Sequence, residues 1–153
     1  MLIKQVFIEN ADQAQDVRVV DGKFVAIANH LEVVADEQVI DAAGKLMVPP
    51  FVDPHVHLDS TMTAGDPEWN ETGTLFDGIR IWSDRKETLS HEDVKQRAIQ
   101  ALRIQAAHGL QFVRSHVDVT DPNLTALKAL LEVREEVKPW MTRVAEGHFT
   151  FRE

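Results

Sequence analysis

The chain has 153 residues, 44% of them hydrophobic and 27% charged, a composition that points to one soluble globular domain and excludes disordered and collagen-like classes. A formal net charge of -9 with no Lys/Arg-rich block disfavours a nucleic acid polymer or an anionic membrane as partner, and favours a small neutral or cationic molecule. With no Cys, disulfides, thiolate metal sites and a cysteine nucleophile are excluded.

The opening "MLIKQVFIENAD" lacks a basic segment followed by a long apolar run. No apolar stretch approaches the roughly 20 residues that span a bilayer, so the expected location is the cytoplasm. The first fifty residues read as short strands: "KQVFIEN", "QDVRVVDGKFVAIA" with Asp21-Gly22 as a hairpin turn, and "EQVIDAAGKLMVP" with a turn at Gly44. They predict a small antiparallel β-module without chemistry, in which His30 is a surface residue.

From Leu46 the pattern becomes strand, long loop, helix, strand, helix. Ser90 and Asp93 form a capping box ahead of an apolar stripe at Val94, Ala98, Ala101 and Leu102, which predicts a helix over 91–108 closed by His108-Gly109. Residues 110–119, "LQFVRSHVDV", predict a strand. Asp121 as N-cap and Pro122 at the first position predict a second helix, with Leu124, Leu127 and Leu131 on one face and Pro139 as its stop. Strands alternating with helices of this length predict an α/β fold with a parallel sheet. The last segment, "MTRVAEGHFTFRE", fits either a third strand or a tail.

Side chains alternate across a strand, so "FVDPHVHLD" places Asp53, His55, His57 and Asp59 on one face and Val52, Val56 and Leu58 on the other. The later strand repeats the division, with Arg114, His116 and Asp118 opposite Val113, Val117 and Val119. In parallel α/β folds the carboxyl ends of strands are where sites form. The spacing of His55 and His57 allows both imidazoles to reach one divalent ion, and the rival reading is two histidines satisfied by Asp53 or Asp59. His116 is either a ligand contact or a pocket wall, with Asp59 and Asp118 as further pocket candidates. His91 and His108 sit at helix ends, Trp69, Trp82 and Trp140 read as packing residues, and Arg85, Lys86 and Glu87 read as a solvated charge run.

The stretches "FVDPHVHLD", "TAGDPEWNETGTLFDGI", "LSHEDVKQRA", "HGLQFVRSHVDV" and "LTALKALLEVREEVKPW" together resemble the N-terminal third of bacterial cytosine deaminase, in the amidohydrolase superfamily. The resemblance runs from the first strand to about Trp140 and is narrowed to this family by the loop "AGDPEWNETGTLFDG". It implies that residues 1–48 are part of a small β-sandwich and that 49–153 begin a (β/α)8 barrel, of which the first two β/α units are present. It further implies one divalent metal, iron or zinc, held first by His55 and His57, backbone contact from Leu75 to the pyrimidine, and hydrolytic conversion of cytosine to uracil and ammonia.

The remaining metal ligands and the acid/base groups of that family come from later strands, and neither Glu146 nor His148 takes their place by position. A barrel takes about 250 residues. The expectation is therefore a truncated or split chain, inactive alone, that works as a homo-oligomer or with a complementing chain. Rival readings are another amidohydrolase acting on a cyclic amidine or amide such as isoguanine, creatinine or a hydantoin, and a non-catalytic remnant serving as a binding or oligomerising module.

Overall fold

The computed structural model describes residues 1–149, with side chains described as far as Ala145, and shows a mixed α/β chain with two sheets and three helices among those residues. It divides into two compact units, Met1–Pro49 and a second that begins at Pro50.

The first unit holds β1 (Leu2–Val6), β2 (Gln15–Val20), β3 (Lys23–Ala28) and β4 (Val39–Asp41) in the order β3-β2-β1-β4. Asp21 and Gly22 both have positive φ, 49° and 71°, the backbone that a two-residue turn between right-twisted strands requires. The β2–β3 hairpin therefore forms where the sequence places it. The module is not wholly antiparallel, because β4 pairs with β1 in parallel, Leu2 opposite Val39. The 32-residue gap from Val6 to Val39 lets the chain return to the same end of β1 before pairing, which a tight hairpin cannot do. Asp16 is buried, and its carboxylate accepts the N–H groups of Gln5 and Leu31 at 3.0 Å each. His30 lies at the surface beside Glu32.

The second unit runs β5 (Phe51–Val56), α1 (Leu75–Lys86), α2 (His91–Ala107), β6 (Leu110–Asp118), α3 (Thr125–Glu136) and β7 (Arg143–Phe149), with all pairings parallel in the order β5-β6-β7. The final segment thus forms a strand as far as Phe149, and its remaining residues lie outside the described ones. Ser90 caps α2 by accepting the Asp93 N–H at 3.1 Å, and Gly109 takes φ 86° just past its end. Val94, Ala98 and Leu102 are fully buried in one cluster with Val113 and Val117 of β6 and Leu130 and Val133 of α3.

Two elements depart from the sequence reading. The second helix begins at Thr125 rather than at Pro122, because the Asp121 carboxylate accepts the N–H groups of both Asn123 and Thr125 at 2.9 Å and wraps Asp-Pro-Asn into a turn. The long loop contains α1, capped by Thr74, whose hydroxyl accepts the Asp77 N–H at 3.3 Å. That helix starts with Leu75 and Phe76, which are 75% and 84% exposed, so it has no apolar stripe at its start to betray it.

Replacing Leu102, fully buried between helix and sheet, by Ala should cost about 2–5 kcal/mol, whereas Phe76→Ala should stay within about 0.5 kcal/mol. Urea denaturation of the two variants, compared at equal m-value, checks the pair.

Candidate metal and substrate site

The alternation along β6 holds: Val113, Ser115 and Val117 are buried toward the helices, while Arg114 and His116 occupy the opposite face. Along β5 it does not. Its register to β6 is irregular between Phe51 and Val52 and again between Asp53 and Val56, with Pro54 unable to donate to the ladder. Asp53 consequently turns to the helix side, where its carboxylate accepts from Gln105 Nε2 at 2.9 Å, and Val52 is left exposed on the other face. The expected sharing of one face by Asp53 and the histidines is corrected by this irregularity. Asp53 also accepts the His55 N–H at 3.0 Å, which fixes the backbone just before the histidine pair.

Three imidazoles converge where β5 and β6 end. The ring centroids of His55 and His57 are 5.4 Å apart, those of His55 and His116 are 4.0 Å apart at 35°, and those of His57 and His116 are 5.9 Å apart. A ligating imidazole keeps its nitrogen about 2.0–2.1 Å from zinc, so two rings on one tetrahedral ion stand roughly 5 Å apart between centres. His55 and His57 fit that spacing. His116 lies against the ring of His55 instead, as a wall. Burial holds the His116 imidazole below its ordinary pKa, and His55, His57 and Arg114 add to the shift by repulsion. Neutral imidazole is also the form that binds divalent ions. Among the described residues no group of three or more His, Asp or Glu is arranged to hold a metal.

Asp59 is 1% exposed, and its Oδ2 accepts the backbone N–H of Asp118 at 2.7 Å. Its Oδ1 accepts the Ser60 N–H and stands 3.6 Å from His57 Nδ1, outside hydrogen-bonding distance. Burial raises its pKa against the opposing pull of the Asp118 N–H and of His57.

Asp118 is committed to α1. Its Oδ2 accepts from Trp82 Nε1 at 3.0 Å and from Lys86 Nζ at 2.8 Å, while Thr120 donates to Oδ1. Burial works to raise its pKa, and the bonds from Lys86, Thr120 and Trp82 outweigh it, holding the carboxyl down at about 2. Leu75, the first residue of α1, is exposed at the end of the helix away from this anchor.

Of the charge run 85–87, Glu87 is exposed as expected, but Arg85 and Lys86 are not solvated. Arg85 is 8% exposed, with its guanidinium 2.8 Å from Asp66 and 2.9 Å from Asp93, and Lys86 is bound to Asp118. Arg97 Nη1 donates to the carbonyls of Asp59 and Thr61 at 2.9 and 2.7 Å while Nη2 pairs with Asp93. None of these roles was read from the sequence. Thr74-x-x-Asp77 is the signal that would have revealed α1, and with it the one-turn spacing of Trp82 and Lys86.

A cavity of about 360 Å³ opens between the loop and α1, lined by Asp66, Trp69, Asn70, Trp82 and Arg85 among others, and no imidazole borders it. Trp69 is largely exposed, its indole lying across Gly65, where a Cβ would come within 2.7 Å of the ring.

Comparison with known proteins places this geometry among hydrolases. A family model described as amidohydrolase family matches residues 38–147. The 5-methylcytosine deaminase of Klebsiella pneumoniae, solved with 5-fluorocytosine, superposes with a TM-score of 0.85 at 44% identity, over 95% of this chain and 35% of that one. The N-isopropylammelide isopropyl amidohydrolase of Pseudomonas sp. strain ADP is 31% identical over 148 residues, 90% of this chain and 35% of that protein. Pterin deaminase of Rhizobium rhizogenes is 31% identical over 134 residues, 85% of this chain and 29% of that protein. The chain thus spans about a third of the length of these relatives. No helix among the described residues is long and apolar enough to cross a membrane.

Because the Asp118 pKa is depressed on folding from 3.8 to about 2, its contribution to stability is present above about pH 4 and is lost as pH falls through about 2. Carboxyl carbon NMR shifts should show that low midpoint, and Lys86→Met should move it upward; an unmoved midpoint would break the assignment of its cause.

Proposed function

The chain belongs to the amidohydrolase family, and on that premise we propose that it forms the metal-bearing opening part of a (β/α)8 barrel that deaminates cytosine or a close analogue such as 5-methylcytosine. In that reaction water attacks the ring carbon bearing the exocyclic amine, the carbon–nitrogen bond breaks, and uracil or its methyl analogue leaves with ammonia. The observation that carries the reading is the pair of imidazoles at the end of β5 in a chain 44% identical to a 5-methylcytosine deaminase.

Amidohydrolases are generally metal-dependent, and here His55 and His57 are the residues that would hold the ion. A divalent cation depresses the pKa of water toward neutrality and so supplies a hydrolytic nucleophile near pH 7. The chain's own part is positional. His116 stacks on His55 and limits the rotation of that ring. At the start of α1 the Leu75 N–H is among those that have no partner within the helix, which suits it to donating to a ring carbonyl or nitrogen. Asp118, holding Trp82 and Lys86, fixes the helix that presents it.

A second reading is favoured by the 31% identical relatives whose names give other ring substrates, N-isopropylammelide and pterin. Both readings use the same metal and the same water, and differ in the ring.

Ammonia release from cytosine, 5-methylcytosine and pterin by the purified protein, supplied in turn with Zn²⁺ and Fe²⁺, separates them. Turnover of the pyrimidines is expected once self-association or a complementing chain supplies the remaining barrel strands, and it is abolished in His55→Ala and His57→Ala. Both substitutions should weaken metal binding by more than the ~10–100-fold typical of losing an outer partner. Turnover of pterin alone would select the second reading, and metal binding left unchanged in both His55→Ala and His57→Ala would sink the two together.

A further inference from the structure

We infer that Asp59 is a positioning residue for the imidazole cluster, a side-chain strut that continues the β5–β6 pairing after the backbone ladder has stopped and so holds His57 beside His55 and His116. The ladder between these strands ends with Val56 opposite Ser115. His55 lies just before that point, in the irregular stretch between Asp53 and Val56, and His57 lies beyond it, where no backbone pairing fixes it. What replaces it is a set of side-chain ties. Ser115 Oγ accepts the Leu58 N–H at 3.2 Å, and Asp59 Oδ2 accepts the Asp118 N–H at 2.7 Å. From the other side Arg97 grips the Asp59 and Thr61 carbonyls.

Of the two ties that run directly between the strand ends, the Asp59 bond is the stronger by type, since an ionised acceptor on a backbone N–H makes a short, charge-assisted bond. It is also an expensive arrangement to build only for packing, because a carboxylate that is 1% exposed gives up its hydration, whereas an apolar residue at that place would not. The position is what distinguishes it: the bond spans the two strand ends that carry His57 and His116, two residues from each histidine. Removing it takes away the tie nearest the histidines, while the Leu58–Ser115 bond and the buried cluster of Leu58, Val113, Leu102 and Leu130 stay in place.

This inference bears on metal binding only through the reading of His55 and His57 as ligands, so the test measures the cluster with and without metal. In Asp59→Ala and in Asp59→Asn, whose carboxamide oxygen still accepts the N–H, we would follow the Asp118 amide proton, the cross-relaxation of the His57 ring with those of His55 and His116, the melting temperature, and Zn²⁺ affinity by calorimetry. Expected in the Ala variant are an upfield move of the Asp118 amide proton, loss of the ring contact, and Zn²⁺ affinity lower by ~10–100-fold, with the Asn variant between it and the parent. If Asp59→Ala does not fold, the Asn variant carries the same comparison. A folded variant with a lower melting temperature but unchanged ring contact would reduce Asp59 to a structural residue and overturn the inference. Should the parent chain bind no Zn²⁺, or bind it equally in His57→Ala, the metal reading falls and the ring contact alone still decides the role of Asp59.

Discussion

The parallel pairing of β5 with β6 is the constraint from which the rest of the second unit follows. Parallel strands need a crossover, and here α1 and α2 supply it, so the apolar faces of α2 and α3 and the helix side of the sheet bury one another in a single cluster. The opposite face of the sheet is then free to carry imidazole and charge. Because both strands run the same way, their carboxyl ends lie together, and residues 57 apart or more in sequence, such as His57 and His116, become neighbours. The local irregularity of β5 refines this outcome: it diverts Asp53 to the helices and leaves the two histidines as the polar groups of that strand on the open face.

Much of this was legible in the sequence. The Asp21-Gly22 turn, the Ser90 cap and the alternating β6 are local features, each with a physical signature a few residues long, and each stands where it was read. The histidine pair was legible as a pair because its spacing alone sets the proximity of the rings. What escaped was decided by contacts distant in sequence or by a broken period. The parallel β1–β4 pairing has no local sign. The α1 helix escaped because its exposed Leu75 and Phe76 break the apolar stripe, and Arg85 and Lys86 looked solvated because Asp66, Asp93 and Asp118 reach them only in the fold. Asp53 was misplaced because alternation fails at a bulge.

The relatives illustrate how little of the chemistry resides in the scaffold. Proteins named for pterin and N-isopropylammelide resemble this chain in sequence, and one named for 5-methylcytosine also superposes on it. What they can share is the means of generating a nucleophile at the strand ends. What must differ between them is the set of groups that meets the ring.

The internal pairing of Arg85, Lys86 and Arg97 has a colloidal consequence. These three cations are among the 16 Lys and Arg that face 25 Asp and Glu, and all three are turned inward onto carboxylates or carbonyls. The outer surface is therefore poorer in positive charge than the composition suggests, and its carboxylates repel one another across open solvent. Added salt screens that long-range repulsion within about 10 Å at 0.1 M while leaving the short, desolvated bridges almost untouched. Ionic strength thus acts on the two populations of charge in opposite proportion, relaxing the strain of an acidic surface without loosening the contacts that hold the loop and α1 in place.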